Sequence, residues 1–337
     1  MTSKRFRAAL LNQPRGVVTV EPLLMGEPGP GELLVRMHAC GICHSDLYVS
    51  GLEKLPVTPI TLGHEGIGYV EAVGPGVAGW AIGDRAGITF MGPTCGACEW
   101  CRSGRERFCP KQANFGYSLH GALAEYAIVP ALAAVRVPGQ MDATQIAPMC
   151  CAGWTAYGAL RESGLAAGES VALFGLGGLG HLALQMAKLR GLRIAAVDLS
   201  QEKLEMARAE GAEFAAPADT AGRALQKEWG GVHAAIVFTP ATAAIQQAFR
   251  ALRRNGTLIL VGVGVSQYDL PLVDTVVKGV TIRGSYLGTR QELDEVFALA
   301  VAGKVRAHVQ THAIDETPAL LDAMRRGALM GRAVIGF

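Results

Sequence analysis

Two sets of residues in this chain have the side-chain types and the spacing of metal ligands. In the first set, His64 lies in the glycine-rich stretch GHEGIGYVEAVGPGV, with the pair Cys40 and Cys43 upstream and the pair Cys150 and Cys151 downstream. One imidazole and two thiolates can bind zinc and leave a fourth position open, which is the catalytic rather than the structural pattern. The residues therefore predict an open zinc site and leave the choice within each cysteine pair undecided.

The second set is four cysteines in one short loop, with the spacing Cys95-x2-Cys98-x2-Cys101-x7-Cys109. Four thiolates this close together can complete a tetrahedral zinc site that has no room for water. Four thiolates also suit an iron–sulfur cluster, so the spacing alone leaves both metal groups open.

A third pattern points to a dinucleotide. The apolar run Val171–Phe174 is followed at once by the loop Gly175–Gly180, which reads GLGGLG, and then by a predicted helix, His181–Leu189. A second predicted strand, Arg193–Val197, ends at Asp198. Glycines in such a loop let a pyrophosphate approach the helix N-terminus, and an acid after the next strand binds the ribose. Because a carboxylate repels a 2′-phosphate, the pattern favours NAD over NADP.

The stretch around His64 resembles the zinc signature of the medium-chain alcohol dehydrogenases, G-H-E-x2-G-x5-G-x2-V, at every fixed position. The likeness extends over the whole chain and is strongest to the yeast and bacterial NAD-dependent enzymes, which are usually tetramers. It implies Cys43, His64 and Cys151 as ligands of a catalytic zinc. It also implies a second, structural zinc held by Cys95, Cys98, Cys101 and Cys109.

The resemblance assigns further roles. In the family pattern, Ser45 hydrogen-bonds the substrate oxygen, Asp46 orients His64, and Glu65 tunes the site beside the ligand. Tyr48 departs from the pattern, because many relatives have a histidine there as the outer end of a proton relay, and a phenol with a pKa of about 10 is a poorer shuttle. The implied cofactor-binding residues are His44, Gly175, Gly177, Gly178, Leu179, Gly180, Asp198, Lys203 and Arg332.

The elements that must position these residues fall into two classes. Short apolar runs separated by turns predict an irregular β domain, and alternating strands and helices after residue 170 predict a doubly wound parallel sheet. The resemblance implies that the irregular β domain is a GroES-like catalytic domain and that the parallel sheet belongs to a Rossmann domain. The predicted divisions are a catalytic domain at 1–152 with a zinc lobe at about 92–112, an NAD-binding domain at 153–289, and a return to the catalytic domain at 290–337.

Within the Rossmann half, the apolar runs predict six strands and the polar–apolar periodicity predicts the helices between them. The strands after the first two are Glu213–Ala216, Ala234–Phe238, Thr257–Val261 and Val280–Ser285. The predicted helices between them are Lys203–Glu210 and Ala243–Arg253. Two further helices and a final strand, Ala333–Phe337, are expected in the C-terminal segment.

Composition limits the function classes. Half of the 337 residues are hydrophobic, 18% are charged, and the net charge is +2, so a large core can form and neither nucleic acid nor a membrane is an expected partner. No secretory leader or membrane span is visible, and eight cysteines then favour metal ligation over disulfides. We expect a cytoplasmic homo-tetramer or dimer.

The expected reaction is reversible, NAD-dependent oxidation of primary, and possibly secondary or aromatic, alcohols to aldehydes or ketones. The alternative is another zinc dehydrogenase of the same fold, of the polyol or formaldehyde type, and Cys151 in place of a glutamate argues against the polyol type. A non-catalytic nucleotide-binding protein and a zinc-ribbon nucleic-acid binder are weaker rivals. The candidate pocket residues are Leu52, Leu55, Phe90, Trp154 and Leu287.

Overall fold

The computed structural model describes residues 5–139, 141–265 and 267–337. The chain folds into two compact units. Unit 1 comprises Met1–Cys151 and Thr289–Phe337, and unit 2 comprises Ala152–Gly288.

Unit 1 is built on two β-sheets. A three-stranded sheet has the order β2-β1-β4, and a seven-stranded sheet has the order β15-β16-β3-β5-β6-β8, with β7 also paired to β3. The strands of unit 1 are β1 Arg5–Leu11, β2 Val18–Leu24, β3 Glu32–Gly41, β4 Ile60–Thr61, β5 Gly66–Val73, β6 Arg85–Ile88, β7 Tyr126–Pro130, β8 Val135–Arg136, β15 Val309–His312 and β16 Arg332–Gly336.

The helices of unit 1 are short except near the C-terminus. They are α1 His44–Ser50, α2 Glu99–Arg102, α3 Ala143–Ile146, α10 Arg290–Val301 and α11 Thr317–Arg325, with 3₁₀ turns at Glu106–Phe108, Ala147–Cys150 and Ile314–Glu316. The core between the sheets and α11 contains Leu33, Val35, Ile60, Leu321 and Ile335, all buried. Strand β3 lies at the centre of this core. The loop that leads to Cys43 begins at the end of the same strand.

Unit 2 contains one six-stranded sheet whose strands all run parallel, in the order β11-β10-β9-β12-β13-β14. The first strand lies centrally and the order reverses beside it, as in the doubly wound nucleotide-binding fold. The strands of unit 2 are β9 Ser170–Phe174, β10 Arg193–Asp198, β11 Phe214–Pro217, β12 Val232–Val237, β13 Leu252–Leu260 and β14 Thr281–Gly284. The predicted six-stranded parallel sheet is therefore confirmed.

The helices of unit 2 connect these strands. They are α4 Ala152–Glu162, α5 Gly180–Leu189, α6 Gln201–Glu210, α7 Ala221–Trp229, α8 Thr242–Ala251 and α9 Leu272–Lys278. Helices α6, α7 and α9 end at Gly211, Gly230 and Gly279, each in the left-handed conformation that a glycine cap adopts most easily. The sequence patterns predicted none of α4, α7 and α9. The other helices and strands of unit 2 begin and end within a few residues of the predicted bounds, except that β13 begins five residues before its predicted start at Thr257.

Candidate active site

His64 is held in one orientation by Asp46. The Nδ1 atom of His64 lies 3.3 Å from Oδ1 of Asp46, and both side chains are about 1% exposed. Asp46 also accepts hydrogen bonds from the backbone N–H groups of Cys43 at 2.9 Å and of Gly63 at 3.0 Å. A carboxylate at Nδ1 keeps the proton there and presents the lone pair of Nε2. That Nε2 atom is buried and has no hydrogen-bond partner among the described residues.

Two thiols lie where they can complete a metal site with this imidazole. The Sγ atoms of Cys43 and Cys151 are 4.0 Å apart, and the ligand atoms of Cys43, His64 and Cys151 all lie within 4.8 Å of one another. Zinc–sulfur bonds of about 2.3 Å at a tetrahedral angle place two sulfurs about 3.8 Å apart. The three residues thus fit a zinc ion with a fourth position free for another ligand.

The neighbouring cysteines take different positions. Cys40 is fully buried and its thiol donates to the backbone carbonyl of Gly41, while the thiol of Cys150 donates to that of Gly66. Burial raises the pKa of both thiols. By contrast, the hydrogen bond from Cys151 lowers the pKa of Cys43 well below its usual value. The same hydrogen bond raises the pKa of Cys151 well above its usual value, so within this facing pair the thiolate is favoured at Cys43.

Glu65 forms a buried ion pair with Arg332. Arg332, in β16, donates to Oε2 of Glu65, and the two side chains are 4% and 0% exposed. Burial raises the pKa of Glu65 to about 7, although the charge of Arg332 opposes the shift. The structure thus places Arg332, for which the resemblance implies a phosphate contact, in a buried ion pair beside a metal-site residue.

Ser45 lies next to the predicted metal site on α1. Its Oγ atom is 3.8 Å from Sγ of Cys43. His44 and Tyr48 are both exposed on the same helix, Tyr48 by 37% of its surface. Phe90 packs edge-on against the His64 ring, with the ring centroids 5.0 Å apart. A small hydroxyl and an aromatic ring therefore adjoin the ligands.

The four cysteines of the lobe converge on one point. The Sγ distances are 3.9 Å from Cys95 to Cys101, 3.5 Å from Cys98 to Cys101, and 3.6 Å from Cys109 to Cys95. These values match the sulfur–sulfur spacing of a tetrahedral zinc–thiolate site. Backbone N–H groups of Ala97 and Cys98 help lower the pKa of Cys95 to about 6. The lobe can hold a metal in a closed, fully protein-ligated site.

In unit 2, the glycine loop and the acid after β10 come together. Gly175 adopts a φ of +93°, and its loop ends where α5 begins at Gly180. Asp198 accepts a hydrogen bond from the backbone N–H of Leu176 at 2.6 Å, and Lys203 Nζ lies 4.0 Å from the Asp198 carboxylate. The predicted ribose-binding acid and lysine thus adjoin the predicted phosphate loop.

Several of the remaining predicted residues lie in the core. Trp154 is fully buried in α4, and Leu287 is 4% exposed with a φ of +52°. Leu52 and Leu55 are partly buried in the loop after α1.

The Glu65–Arg332 pair joins residues 267 positions apart, and no local sequence signal reveals such a contact.

Comparison with known proteins places the chain in a family. The family model "Alcohol dehydrogenase GroES-like domain" matches residues 29–139, and the model "Zinc-binding dehydrogenase" matches residues 178–302. The chain is 40% identical over 337 residues to an alcohol dehydrogenase of Geobacillus stearothermophilus, with 98% of each chain covered. The chain belongs to the zinc-dependent medium-chain alcohol dehydrogenases.

Solved structures agree with this family. The alcohol dehydrogenase of Aeropyrum pernix superimposes with a TM-score of 0.92 at 32% identity, covering 98% of this chain and 100% of the other. Acetophenone reductase of Geotrichum candidum, solved with NAD, gives a TM-score of 0.90 at 26% identity, covering 100% and 98%. The dehydrogenase is therefore an oxidoreductase that oxidises alcohols with NAD, and the predicted fold, enzyme class and zinc and NAD cofactors are confirmed.

None of the helices in the described ranges is long and apolar enough to cross a membrane.

Proposed function

We propose that this dehydrogenase oxidises small alcohols at a zinc ion held by Cys43, His64 and Cys151. The observation that carries the proposal is the buried, unpartnered Nε2 of His64, which faces two thiol sulfurs within 4.8 Å. A second zinc, held by the four cysteines of the lobe, has a structural role and brings the total to two ions for each chain.

The chain's own residues organise the reaction around these groups. When bound, zinc polarises the alcohol oxygen and NAD accepts the hydride. Ser45 Oγ accepts the hydroxyl proton of the substrate in a hydrogen bond and passes its own proton outward. Tyr48 carries a phenol, which is a poorer proton shuttle near neutral pH than an imidazole, so water takes over the outer part of the relay. Asp46 keeps the His64 ring in place throughout.

Unit 2 binds the dinucleotide in this proposal. The Gly175–Gly180 loop and the N-terminus of α5 receive the pyrophosphate, and Asp198 with Lys203 receives the adenosine ribose. His44 and Arg332 are the proposed phosphate contacts in unit 1. Arg332 donates a hydrogen bond from one Nη atom to the Glu65 carboxylate. In this proposal the other N–H groups of the guanidinium contact the phosphate.

The aromatic ring beside the ligands indicates the substrate class. Phe90, against the His64 ring, supplies an apolar wall, which favours aliphatic and aromatic alcohols over polyols. Primary alcohols are the proposed class, with aldehydes as products.

We also propose a cytoplasmic homo-oligomer, a tetramer as the resemblance implies or a dimer. Helix α9 has no buried residue, and β14 at the sheet edge is exposed along its whole length. We call the following exposed residues the apolar edge: Leu272, Val273, Val276, Val277 and Ile282. An exposed strand edge beside an apolar helix favours pairing with a second copy.

The test is nicotinamide reduction by the purified protein, with alcohols from ethanol to benzyl alcohol and a polyol, and with NAD against NADP. The proposal predicts NAD-dependent turnover of simple alcohols and none of the polyol. Turnover of the polyol alone, or preference for NADP, would contradict it.

A further inference from the structure

An open cavity on the surface of unit 2, called here the cationic cavity, is lined mostly by cationic residues. Helices α7, α8 and α9 border this open depression of about 480 Å³, a volume within the range of roughly 300–1,000 Å³ that is usual for small-molecule sites. The lining residues are Gly222, Arg223, Gln226, Lys227, Arg250 and Lys278. Four of these six residues carry a positive charge and none carries a negative charge, in a chain whose net charge is only +2.

The floor of this cationic cavity is fixed by tight packing of α7 against α8. A Cβ atom on Gly222 would lie 2.7 Å from the Gln247 carbonyl oxygen, so only glycine permits this approach. Gln226 Nε2 donates to the carbonyls of Arg250 at 2.9 Å and of Leu252 at 2.8 Å. The backbones that carry the cations are therefore held in fixed relative positions.

The cations themselves are not neutralised by the protein. Across the described ranges, none of Arg223, Lys227, Arg250 and Lys278 has a carboxylate within 4 Å. Arg223 and Lys227 are one helical turn apart on α7, where two like charges repel. Asp274 lies one turn before Lys278 on α9 but does not line the cavity.

The helix dipole explains only part of this arrangement. Lys227, Arg250 and Lys278 stand in the last turns of their helices, where a cation stabilises the negative end of the dipole. Arg223 stands in the first turn of α7, where the dipole disfavours a cation. The dipole also gives no reason for side chains of three helices to converge on one cavity.

The cavity is separate from the dinucleotide loop. Arg250 precedes the start of β13 by two residues and Lys278 precedes the start of β14 by three, so both stand at the amino ends of the strands. The glycine loop follows the carboxyl end of β9. The two ends of a strand of five residues are roughly 15 Å apart.

From this convergence we propose that the cavity binds a compact polyanion with two or more phosphate groups. Guanidinium groups of Arg223 and Arg250 suit paired phosphate oxygens, and the two lysines add point charges. Recognition is through the phosphates, so no nucleoside is needed. The proposal concerns a site beyond the catalytic one and does not depend on the reaction assigned above.

The test is calorimetric titration of the assembled enzyme at low ionic strength with NADH in saturating amount, which occupies the dinucleotide site. The probes are sodium tripolyphosphate and sodium phosphate. The double variant Arg223→Gln with Arg250→Gln is compared with the control Lys111→Gln with Lys304→Gln, two exposed lysines outside the cavity. Thermal melting of each variant verifies that it is folded.

We expect one tripolyphosphate to bind each chain about tenfold or more tightly than phosphate. Each guanidinium removed weakens binding about tenfold, because a charge-assisted hydrogen bond is lost. The lysine control binds as the wild type does, and added salt weakens binding. The proposal is overturned by no binding at millimolar tripolyphosphate, by equal affinity for the two probes, by equal weakening in the control, or by binding that disappears once NADH saturates the enzyme.

Discussion

Among single residues, Asp46 and Ser45 lie next to each other on one short helix but have different proposed roles. Asp46 is buried and contacts His64, Cys43 and Gly63, so it maintains the site. Ser45 is only partly buried and contacts the Cys43 sulfur, so its hydroxyl is available to a substrate. The two side chains are adjacent in sequence yet should respond differently to mutation.

Replacing Ser45 tests the proton-transfer role. Ser45→Ala should lower kcat/KM about 10²-fold or more, because a positioned proton-transfer group typically contributes that much, while zinc content stays unchanged. Ser45→Thr keeps the hydroxyl and should restore most of the activity. Steady-state kinetics with metal analysis decides the matter, and full activity in Ser45→Ala would remove this residue from the mechanism.

The glycine loop permits a comparison of two similar changes. A Cβ at Gly180 would clash with the Gly175 carbonyl, whereas a Cβ at Gly177 would meet nothing within 4 Å. Gly180→Ala should therefore lower the melting temperature. Gly177→Ala should melt as the wild type does but bind NAD more weakly, because the methyl group occupies space for the pyrophosphate. Equal melting and equal NAD affinity in the two variants would count against this assignment of the loop.

Contacts between residues far apart in the sequence could not be predicted from the sequence. The sequence alone could not choose between Cys40 and Cys43 or between Cys150 and Cys151. The structure places the spare thiols against backbone carbonyls. The pairing of Glu65 with Arg332 was not predictable. Strand β16, which carries Arg332, and strand β5, which follows Glu65, both pair with β3, and these registers depend on the whole sheet.

Among the elements, the cysteine lobe buries little apolar surface, although Arg107 and Glu106 form ion pairs with Glu292 and Arg290. Helix α2 has no buried residue, and the lobe's 3₁₀ turn is only three residues long. Since so short a segment cannot bury much apolar surface, its order depends on the metal.

Removing one lobe ligand should therefore destabilise the lobe without altering the chemistry directly. Cys98→Ser should lose one zinc per chain and lower the melting temperature. Ser103→Ala, in the same lobe, should do neither. Zinc analysis and thermal melting make the comparison, and an unchanged zinc content in Cys98→Ser would refute the structural assignment.

Helices α7 and α9 escaped prediction for a physical reason. Helix α7 buries only Ala221, Gly222 and Leu225, so its apolar face is made largely of small residues. Helix α9 buries none of its residues, so its valines carry no core-facing periodicity. By contrast, every residue of β9 is buried, and a continuous apolar run bounded by turns is the pattern that parallel strands show.

For the whole molecule, the apolar edge implies an assembly. Val276→Glu places a charge on the exposed face of α9, where Val276 is 71% exposed. If a second copy covers this face, the variant should dissociate to a smaller species, because a buried unpaired charge is costly. Ile82→Glu, at a residue that is 73% exposed in unit 1, is the matched control. Sedimentation measures both, and an unchanged mass for Val276→Glu would place the interface elsewhere.

The most direct measurement of the central claim compares two adjacent cysteines. Zinc content and alcohol-dependent NADH formation are measured in Cys151→Ala and in Cys150→Ala. We expect Cys151→Ala to lose one zinc and nearly all activity, because a ligand of the open site is gone. Cys150→Ala should retain both zinc ions and most of the activity. The opposite pattern, or full activity in Cys151→Ala, would contradict the claim that Cys43, His64 and Cys151 hold the catalytic metal.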